Sequence, residues 1–164
     1  MNDFIIIIDT REQDEYKFKS ILTVRDKLNT GDYSLRGFEN DITIERKSLG
    51  DFISSISHGR DRFKSELARM KDYKYKFIIV ESCLDDMLQH IEINKGHKAK
   101  KVGHIKPACK SYINMHPNAI FQTIISIMLR YSVIFFFARD KKQAEEFTYS
   151  VLKKFYTLKR NNEI

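Results

Sequence analysis

Two carboxylates and one ammonium group stand close enough in the chain for a single β-hairpin to unite them. Asp32 precedes one short apolar segment, and Glu45 and Lys47 follow the apolar start of the next segment. Carboxylate oxygens are hard ligands that suit Mg²⁺ or Mn²⁺, which keep waters for substrate chemistry. A neighbouring lysine can orient or help deprotonate an attacking water and offset charge that develops on a phosphate. The alternative interpretation of these residues is a surface ion-pair network.

The apolar residues of the two segments predict how the hairpin pairs. Tyr33 and Leu35 belong to the first strand and Ile42 and Ile44 to the second. Both pairs must face the core, so Leu35 is expected opposite Ile42 and Tyr33 opposite Ile44.

Continuing that register places Asp32 opposite Glu45, and Lys47 shares the face of Glu45 because side chains alternate along a strand. We therefore expect all three groups to converge on the face of the hairpin that points away from the core. Substitution of Glu45 or Lys47 there should leave the fold intact.

Two further aspartates stand at the ends of predicted elements. Asp9 ends the first apolar segment, where α/β sheets place ligand-facing groups, and is a candidate third metal ligand. Asp51 follows Ser48 by three residues, as in a capping box, and is also interpretable as a carboxylate at the N-terminus of a helix.

The elements that must position these residues alternate between strands and helices. A continuous apolar segment at 4–8 predicts a strand buried on both faces, and 133–137 predicts another. Further strands are expected at 24–28, 31–35, 42–47 and 76–80, and helices after Ser48 and at 60–73, 119–130 and 141–159. This order predicts one α/β domain over residues 1–164, a mixed sheet with helices on both faces.

Composition limits the class of protein. The chain has 164 residues, 42% of them hydrophobic, and a formal net charge of +7. These values exclude a disordered chain, and the apolar segments are far shorter than the roughly 20 residues of a membrane span. We expect no secretory signal, no membrane partner, and two reduced cysteines in a cytoplasmic protein. The positive charge favours nucleic acid as a partner, with a basic surface that binds nothing as the alternative.

Several short motifs occur in a fixed order along the chain. They lie at residues 8–12 (I-D-T-R-E), 31–33 (G-D-Y), 44–48 (I-E-R-K-S) followed by Asp51, 54–63 and 78–81. This series resembles the XPF-type structure-specific endonucleases, whose signature combines GDY with ERKS-xx-D. The likeness extends over about residues 4–158.

The resemblance implies a restriction-endonuclease-like α/β fold and metal-dependent cleavage of branched or flapped DNA, usually by a homodimer. The site residues that it implies are Asp32 and Glu45 as metal ligands, Asp9 and Asp51 as supporting acids, Lys47 as the catalytic lysine, and Arg11 and Arg46 as site arginines. Because Arg46 should point away from Glu45 and Lys47, we expect its backbone carbonyl, more than its guanidinium, to approach the metal.

Basic residues outside this cluster are candidates for contacts with DNA phosphates. Larger members of the family that the chain resembles carry helix-hairpin-helix modules after the nuclease domain. We expect no such modules here, and we therefore expect DNA affinity to come from this domain or a partner. The candidates are Arg60, Arg62, Lys64 and Arg69 on the second predicted helix, and Lys95, Lys98, Lys100 and Lys101 in a lysine-rich segment. A solvated helix face and loop is the alternative.

Two further expectations concern zinc and self-association. The separations of His97, His104, Cys109 and His116 are not typical of paired zinc ligands, so no zinc site is expected. The last predicted helix carries Tyr149, Leu152 and Tyr156 beside its core stripe, an apolar excess that predicts a homodimer interface.

Three functions remain open on the sequence. The first is a Mg²⁺-dependent endonuclease that acts on branched DNA. The second is a non-catalytic DNA-binding or scaffold module of the same fold. The third is a Holliday-junction-resolving or restriction-type nuclease, which shares the chemistry and differs in its substrate.

Overall fold

The computed structural model describes residues 4–87 and 116–164, and a six-stranded mixed sheet forms the centre of the molecule. The strands are β1 (Ile6–Asp9), β2 (Thr23–Asp26), β3 (Tyr33–Leu35), β4 (Ile42–Lys47), β5 (Tyr75–Val80) and β6 (Ile134–Phe137). Their spatial order is β2-β1-β3-β4-β5-β6, and β3 runs antiparallel to both of its neighbours while the other pairs are parallel. The predicted mixed α/β sheet is confirmed.

Helices cover both faces of this sheet, as predicted. They are α1 (Leu49–Ile56), α2 (Arg60–Arg69), α3 (Pro117–Tyr131) and α4 (Lys141–Arg160). The first three pack on one face and α4 packs on the other. Within the described ranges, none of the helices is both long and apolar enough to cross a membrane.

The alternation of side chains along the central strands divides the core into two layers. On β5, Ile79 packs towards α4, whereas Ile78 and Val80 pack towards α1, α2 and α3. Ile42 and Ile44 of β4 lie in the α4 layer and are fully buried. The other face of β4 is therefore turned towards α1 and α2, and the functional side chains are found there.

The predicted hairpin register is confirmed where β3 and β4 pair. Tyr33 lies opposite Ile44, and the backbone N–H of Asp32 donates to the Ile44 carbonyl at 2.8 Å. Gly31 precedes this contact with a φ of +78°, in the left-handed region that glycine adopts without strain. A Cβ at Gly31 would lie 2.1 Å from the Thr43 hydroxyl oxygen, so only glycine allows the two strands to approach so closely.

The second helix is shorter than predicted. It ends at Arg69, not at Tyr73, and Met70 caps it. The segment that follows turns back towards β5, and the ammonium group of Lys76 donates to the carbonyls of Lys71 and Tyr73 at 2.9 and 2.7 Å. The Lys76 ammonium group thus takes the place of the backbone N–H groups to which these two carbonyls would bind in a longer helix. This favours the turn after Arg69 over another turn of helix.

The sixth strand is not buried on both faces, as its apolar sequence had suggested. It forms one edge of the sheet, and Ile134 is 50% exposed. A strand with a single neighbour leaves part of its apolar surface to solvent, which the local sequence pattern does not report.

The last helix is rotated relative to its predicted orientation. Leu152 is fully buried and Tyr156 is 9% exposed, so both belong to the core of this chain. Tyr149 packs edge-on against Phe4, with ring centroids 6.1 Å apart. The prediction that these three side chains form a dimer interface is therefore wrong, because the sheet and the N-terminal segment of the same chain already cover them.

Most of the histidine and cysteine residues considered for zinc lie outside the described residues. His97, His104 and Cys109 lie outside the described residues, and His116 caps the N-terminus of α3 by accepting from the Asn118 N–H at 3.2 Å. That contact gives His116 a structural role at the start of the helix.

Gly31 should be far less replaceable than the second left-handed glycine, Gly37. At both positions alanine meets a backbone cost of about 1–2 kcal/mol, but only at Gly31 does its Cβ collide with a neighbouring strand. We expect Gly31→Ala to lower the free energy of unfolding by about 3 kcal/mol or more and Gly37→Ala by about 1 kcal/mol. Urea denaturation of the two variants measures the difference, and equal losses would contradict it.

Candidate active site

One cleft of about 470 Å³ collects the charged side chains that the sequence analysis singled out. It lies beside the ends of β1 and β4 and is bordered by α1 and α2. Its lining carries more carboxylates than cations: Glu12, Asp14, Asp32, Glu45, Asp51 and Glu66 against Arg11, Arg46, Lys47 and Arg62. A cleft of this balance attracts cations.

Asp32 is held in place by two strands, β1 and β4. Its backbone N–H donates to Ile44 of β4, and its carbonyl accepts from Asp9 of β1, both at 2.8 Å. Its carboxylate accepts the backbone N–H of Arg46 at 2.7 Å. Burial and the nearby Glu45 carboxylate raise the pKa of Asp32 to about 8, although the Arg46 hydrogen bond acts in the opposite direction. Two acidic groups thus share a site that lacks enough positive charge.

Lys47 stands between two carboxylates on the same face of the sheet. Its ammonium group lies 3.0 Å from Glu45 of its own strand and 3.1 Å from Glu66 of α2. Burial raises the pKa of Glu45 even with Lys47 beside it. Burial alone would lower the pKa of Lys47, but the two carboxylates hold it above its usual value, so this lysine carries its charge at neutral pH.

The face of the hairpin that carries Glu45 and Lys47 is not an open surface. Lys47 is 5% exposed, and its ammonium group lies 5.0 Å from the centre of the Phe63 ring on α2. The expectation that replacing Lys47 would leave no cavity is therefore wrong. A sheet with helices on both faces has two cores, and the apolar pattern of the hairpin identifies only one of them.

Arg46 points to the opposite face of β4, as the alternation of side chains predicts. Its guanidinium donates to Glu81, after β5, at 2.7 and 2.9 Å, and to Asp14 at 2.8 Å. It also lies 3.4 Å from Glu12 and over the ring of Tyr16. Burial would lower the pKa of Arg46, but these carboxylates raise it instead. The guanidinium therefore links β4 to two other segments, the one that follows β1 and the one that follows β5.

Asp9 and Arg11 form a pair at the end of β1. The Asp9 carboxylate accepts from the Arg11 guanidinium at 2.6 and 3.1 Å and from the Leu28 N–H at 2.7 Å. Burial raises the pKa of Asp9, but these hydrogen bonds outweigh it and hold the value below the usual range. Asp9 is 1% exposed, and the cleft is lined by Arg11 rather than by Asp9.

Asp51 has the capping geometry that its spacing predicts. Its N–H donates to the Ser48 hydroxyl at 3.1 Å, and that hydroxyl donates to the Asp51 carboxylate at 2.6 Å. The carboxylate is exposed and lines the cleft, so the structure brings Asp51 to the same cavity as Asp32 and Glu45.

The basic residues proposed for DNA contacts are divided between two places. Arg62 lines the cleft, whereas Arg60 and Lys64 line a second groove on the other side of α2. Arg69 is exposed near the end of the helix. The four loop candidates Lys95, Lys98, Lys100 and Lys101 lie outside the described residues.

Sequence reasoning missed Glu66, which holds Lys47 from across the cleft. A signal was present, because Glu66 stands between Phe63, Leu67 and Met70 on the apolar stripe of α2, where a carboxylate must find a partner. It also missed the roles of Glu12 and Glu81 as partners of Arg46. No periodicity joins those residues, since they come from loops at the ends of different strands.

The carboxylates of the cleft do not form a metal cage by themselves. Across residues 4–87 and 116–164, no three or more histidine, cysteine, aspartate or glutamate side chains are arranged to hold a metal ion. Any cation at Asp32 and Glu45 would have to complete its coordination with water or substrate oxygens.

Comparison with known proteins places this geometry in a context. A family model described as the ERCC4 domain matches residues 8–151. The chain is 24% identical over 136 residues to a protein named 3'-flap repair endonuclease Xpf from Saccharolobus solfataricus, covering 82% of this chain and 46% of that relative. It therefore spans about half the length of this curated relative.

Two solved structures have a similar fold. One is described as XPF from Aeropyrum pernix in complex with DNA, with a TM-score of 0.66, 19% identity, and coverage of 94% of this chain and 66% of that one. The other is described as XPF from Aeropyrum pernix, with a TM-score of 0.63, the same identity, and coverage of 91% and 60%. At this identity the likeness concerns the fold alone.

Removing the Lys47 side chain should destabilise the protein far more than removing an exposed lysine. Lys47→Ala leaves a cavity and two carboxylates without their cation, which costs about 3–5 kcal/mol for a buried pair. Lys64→Ala removes an ion pair that is mostly in solvent and should cost about 1 kcal/mol or less. Thermal and urea unfolding of both variants measure the contrast, and an equally stable Lys47→Ala protein would refute it.

Proposed function

Because this chain belongs to the ERCC4 domain family, we propose that it is a divalent-metal-dependent endonuclease that hydrolyses phosphodiester bonds in branched, flap or fork DNA. The observation that carries the proposal is the meeting of Asp32 and Glu45 in one cleft, with Lys47 beside them. The relatives named above, a flap repair endonuclease and an XPF in complex with DNA, support the same substrate class.

The pair of acids fits Mg²⁺ or Mn²⁺. Burial raises the pKa of both Asp32 and Glu45, so each ionised carboxylate is held in a place that disfavours its charge. A divalent cation removes that penalty, and Mg²⁺ is often held by one or two carboxylates together with waters and substrate phosphates. When bound, the ion would supply Lewis-acid activation of the phosphate and of a water. Asp9 would support this site through the hydrogen bond from its backbone N–H to the Asp32 carbonyl. Asp51 would support it from the rim of the cleft.

Lys47 would serve as a charged donor rather than as a base. Glu45 and Glu66 hold its ammonium group from two sides and keep it protonated. In that state it would orient a water and offset the negative charge that develops on the phosphate. Arg11 and Arg62, both on the cleft wall, would hold the phosphates that flank the bond to be cleaved. Arg46 would contribute its backbone, with the N–H on Asp32 and the carbonyl near the metal.

The decisive variant is Glu45→Gln, because glutamine keeps the volume and a hydrogen-bond acceptor for Lys47 while it removes the ligand charge. We expect cleavage to fall on the order of 10³-fold or more, with the fold retained. The measurement is cleavage of labelled duplex, flap, fork and four-way junction DNA in Mg²⁺, before and after chelation. Glu146→Gln, on the opposite face of the sheet, is the matched control and should cleave normally. A folded Glu45→Gln protein that still cleaves would refute the proposal.

We also propose that the protein acts as a homodimer, through a surface other than the one first expected. Ile125, Met128 and Leu129 lie at three- and four-residue spacing on the outer side of α3 and are 44%, 41% and 79% exposed. These three residues form the apolar face of α3. Clustered exposed side chains of this kind are typical of protein interfaces, and a symmetric dimer would cover two copies of the patch at once.

A charge on this face should dissociate the dimer. We expect the unaltered protein to have the mass of a dimer by light scattering at micromolar concentration, and Leu129→Glu to have the mass of a monomer with an unchanged unfolding midpoint. Leu22→Glu changes a leucine that is 63% exposed beside β2, at the opposite edge of the sheet, and should remain dimeric. A monomeric unaltered protein, or the same loss in both variants, would count against this surface.

A further inference from the structure

A second groove, of about 350 Å³, runs between α2 and α3. Among the described residues, Arg60, Lys64 and Arg130 line it and no carboxylate does. The other polar side chains of this lining are neutral, and the half-buried ring of Tyr131 belongs to it, as do Phe63 and several aliphatic side chains. The described lining thus has a formal charge of +3, with Asp61 3.4 Å from Lys64 outside it.

The groove and the catalytic cleft are neighbours with opposite charge. Ser55 and Phe63 line both cavities, so α1 and α2 form a common wall between them. The cleft has six carboxylates and four cations on its lining, which gives it a formal charge of −2. A phosphate-bearing strand is attracted to the groove with or without a metal ion, whereas the cleft needs a cation before it accepts a phosphate.

The helical period of α2 explains how one helix serves both cavities. Arg60 and Lys64 are four residues apart and lie on the same side, towards the groove, whereas Arg62 lies on the other side, towards the cleft. A chain that crosses this wall would meet cations on both sides of it. Cations of α2 therefore lie on both sides of the wall between the groove and the cleft.

We propose that the groove between α2 and α3 binds the backbone of a single-stranded segment of the branched substrate, next to the strand that is cleaved. This inference rests on the proposed function. The groove volume is at the low end of the range for small-molecule sites, so it accepts one or two nucleotides and excludes a duplex. Its combination of cations with an aromatic ring is typical of single-strand binding surfaces.

The face of α3 that lines the groove is distinct from its other two faces. Gln122, Ser126 and Arg130 follow one another at four-residue spacing along the groove. Ile120 and Ile124 enter the core, and Leu129 lies on the apolar face of α3. The groove and a dimer interface can therefore be occupied at the same time.

The test compares two double variants of equal charge. Lys64→Ala with Arg130→Ala removes two exposed cations of the groove and leaves Arg60, whose Nε donates to the Ile56 carbonyl, in place. Lys142→Ala with Lys154→Ala removes two exposed cations of α4 on the opposite face of the sheet. Equilibrium binding is measured in Ca²⁺ with three labelled probes: flap DNA, plain duplex DNA and oligothymidylate.

We expect the groove variant to bind flap DNA and oligothymidylate about tenfold or more weakly, with duplex affinity changed less than twofold. Its logarithmic salt slope on oligothymidylate should fall by about 1.4, since each lost contact with a single strand removes about 0.7. The α4 variant should stay within twofold of the unaltered protein on all three probes.

Three outcomes would overturn the inference. The groove variant could match the α4 variant, or it could lose duplex affinity as fully as flap affinity. Polyglutamate could displace oligothymidylate from the unaltered protein, which would make an acidic peptide the occupant. An unaltered protein that binds flap DNA through the groove but fails to cleave it in Mg²⁺ would contradict the proposed function and leave this inference standing.

Discussion

The pairing of β3 with β4 is the constraint on which the rest of the molecule depends. It is set by the contact of Gly31 with Thr43 and by the opposition of Tyr33 and Ile44. A slip of one residue would turn every side chain of a strand to the other face. The same slip would move Asp32 away from Glu45 and the buried aromatic ring of Tyr33 out of its layer. The core and the candidate site therefore share a single register, and neither can be adjusted alone.

The charges of the site have a structural role as well as a chemical one. Glu45 is nearly buried, and the Lys47 ammonium group that compensates its charge also binds Glu66 on α2. This bridge ties α2 to the sheet at the point where α2 also separates the cleft from the groove. The position of the wall between the cleft and the groove thus depends on one buried ammonium group, whose loss leaves two carboxylates without compensation.

Much of this could be predicted from the sequence because it follows from local pattern. The strands and the pairing of Tyr33 with Ile44 follow from apolar spacing over a few residues, and the Ser48 cap of α1 follows from the three-residue spacing of Ser48 and Asp51. What could not be predicted depends on contacts between distant segments. The end of α2 at Arg69 depends on the hydrogen bonds of Lys76. The orientation of α4 depends on its contact with Phe4. The exposure of β6 depends on its place at the edge of the sheet. The sequence shows Glu66 as an acid on an apolar stripe, but it does not show that Lys47 is its partner.

The consecutive residues Glu45, Arg46 and Lys47 form one motif in the sequence and two units in the fold. The first and third face the cleft, whereas the guanidinium of the second, 11% exposed, fastens the chain after β1 and after β5 to β4. A relative that lacks the proposed reaction could therefore replace Glu45 and Lys47 only together with Glu66, because the loss of one member leaves buried charge without a partner. It would still have to retain Arg46, so an arginine at this place marks the scaffold, and the residues on either side of it show whether the charged cluster is kept.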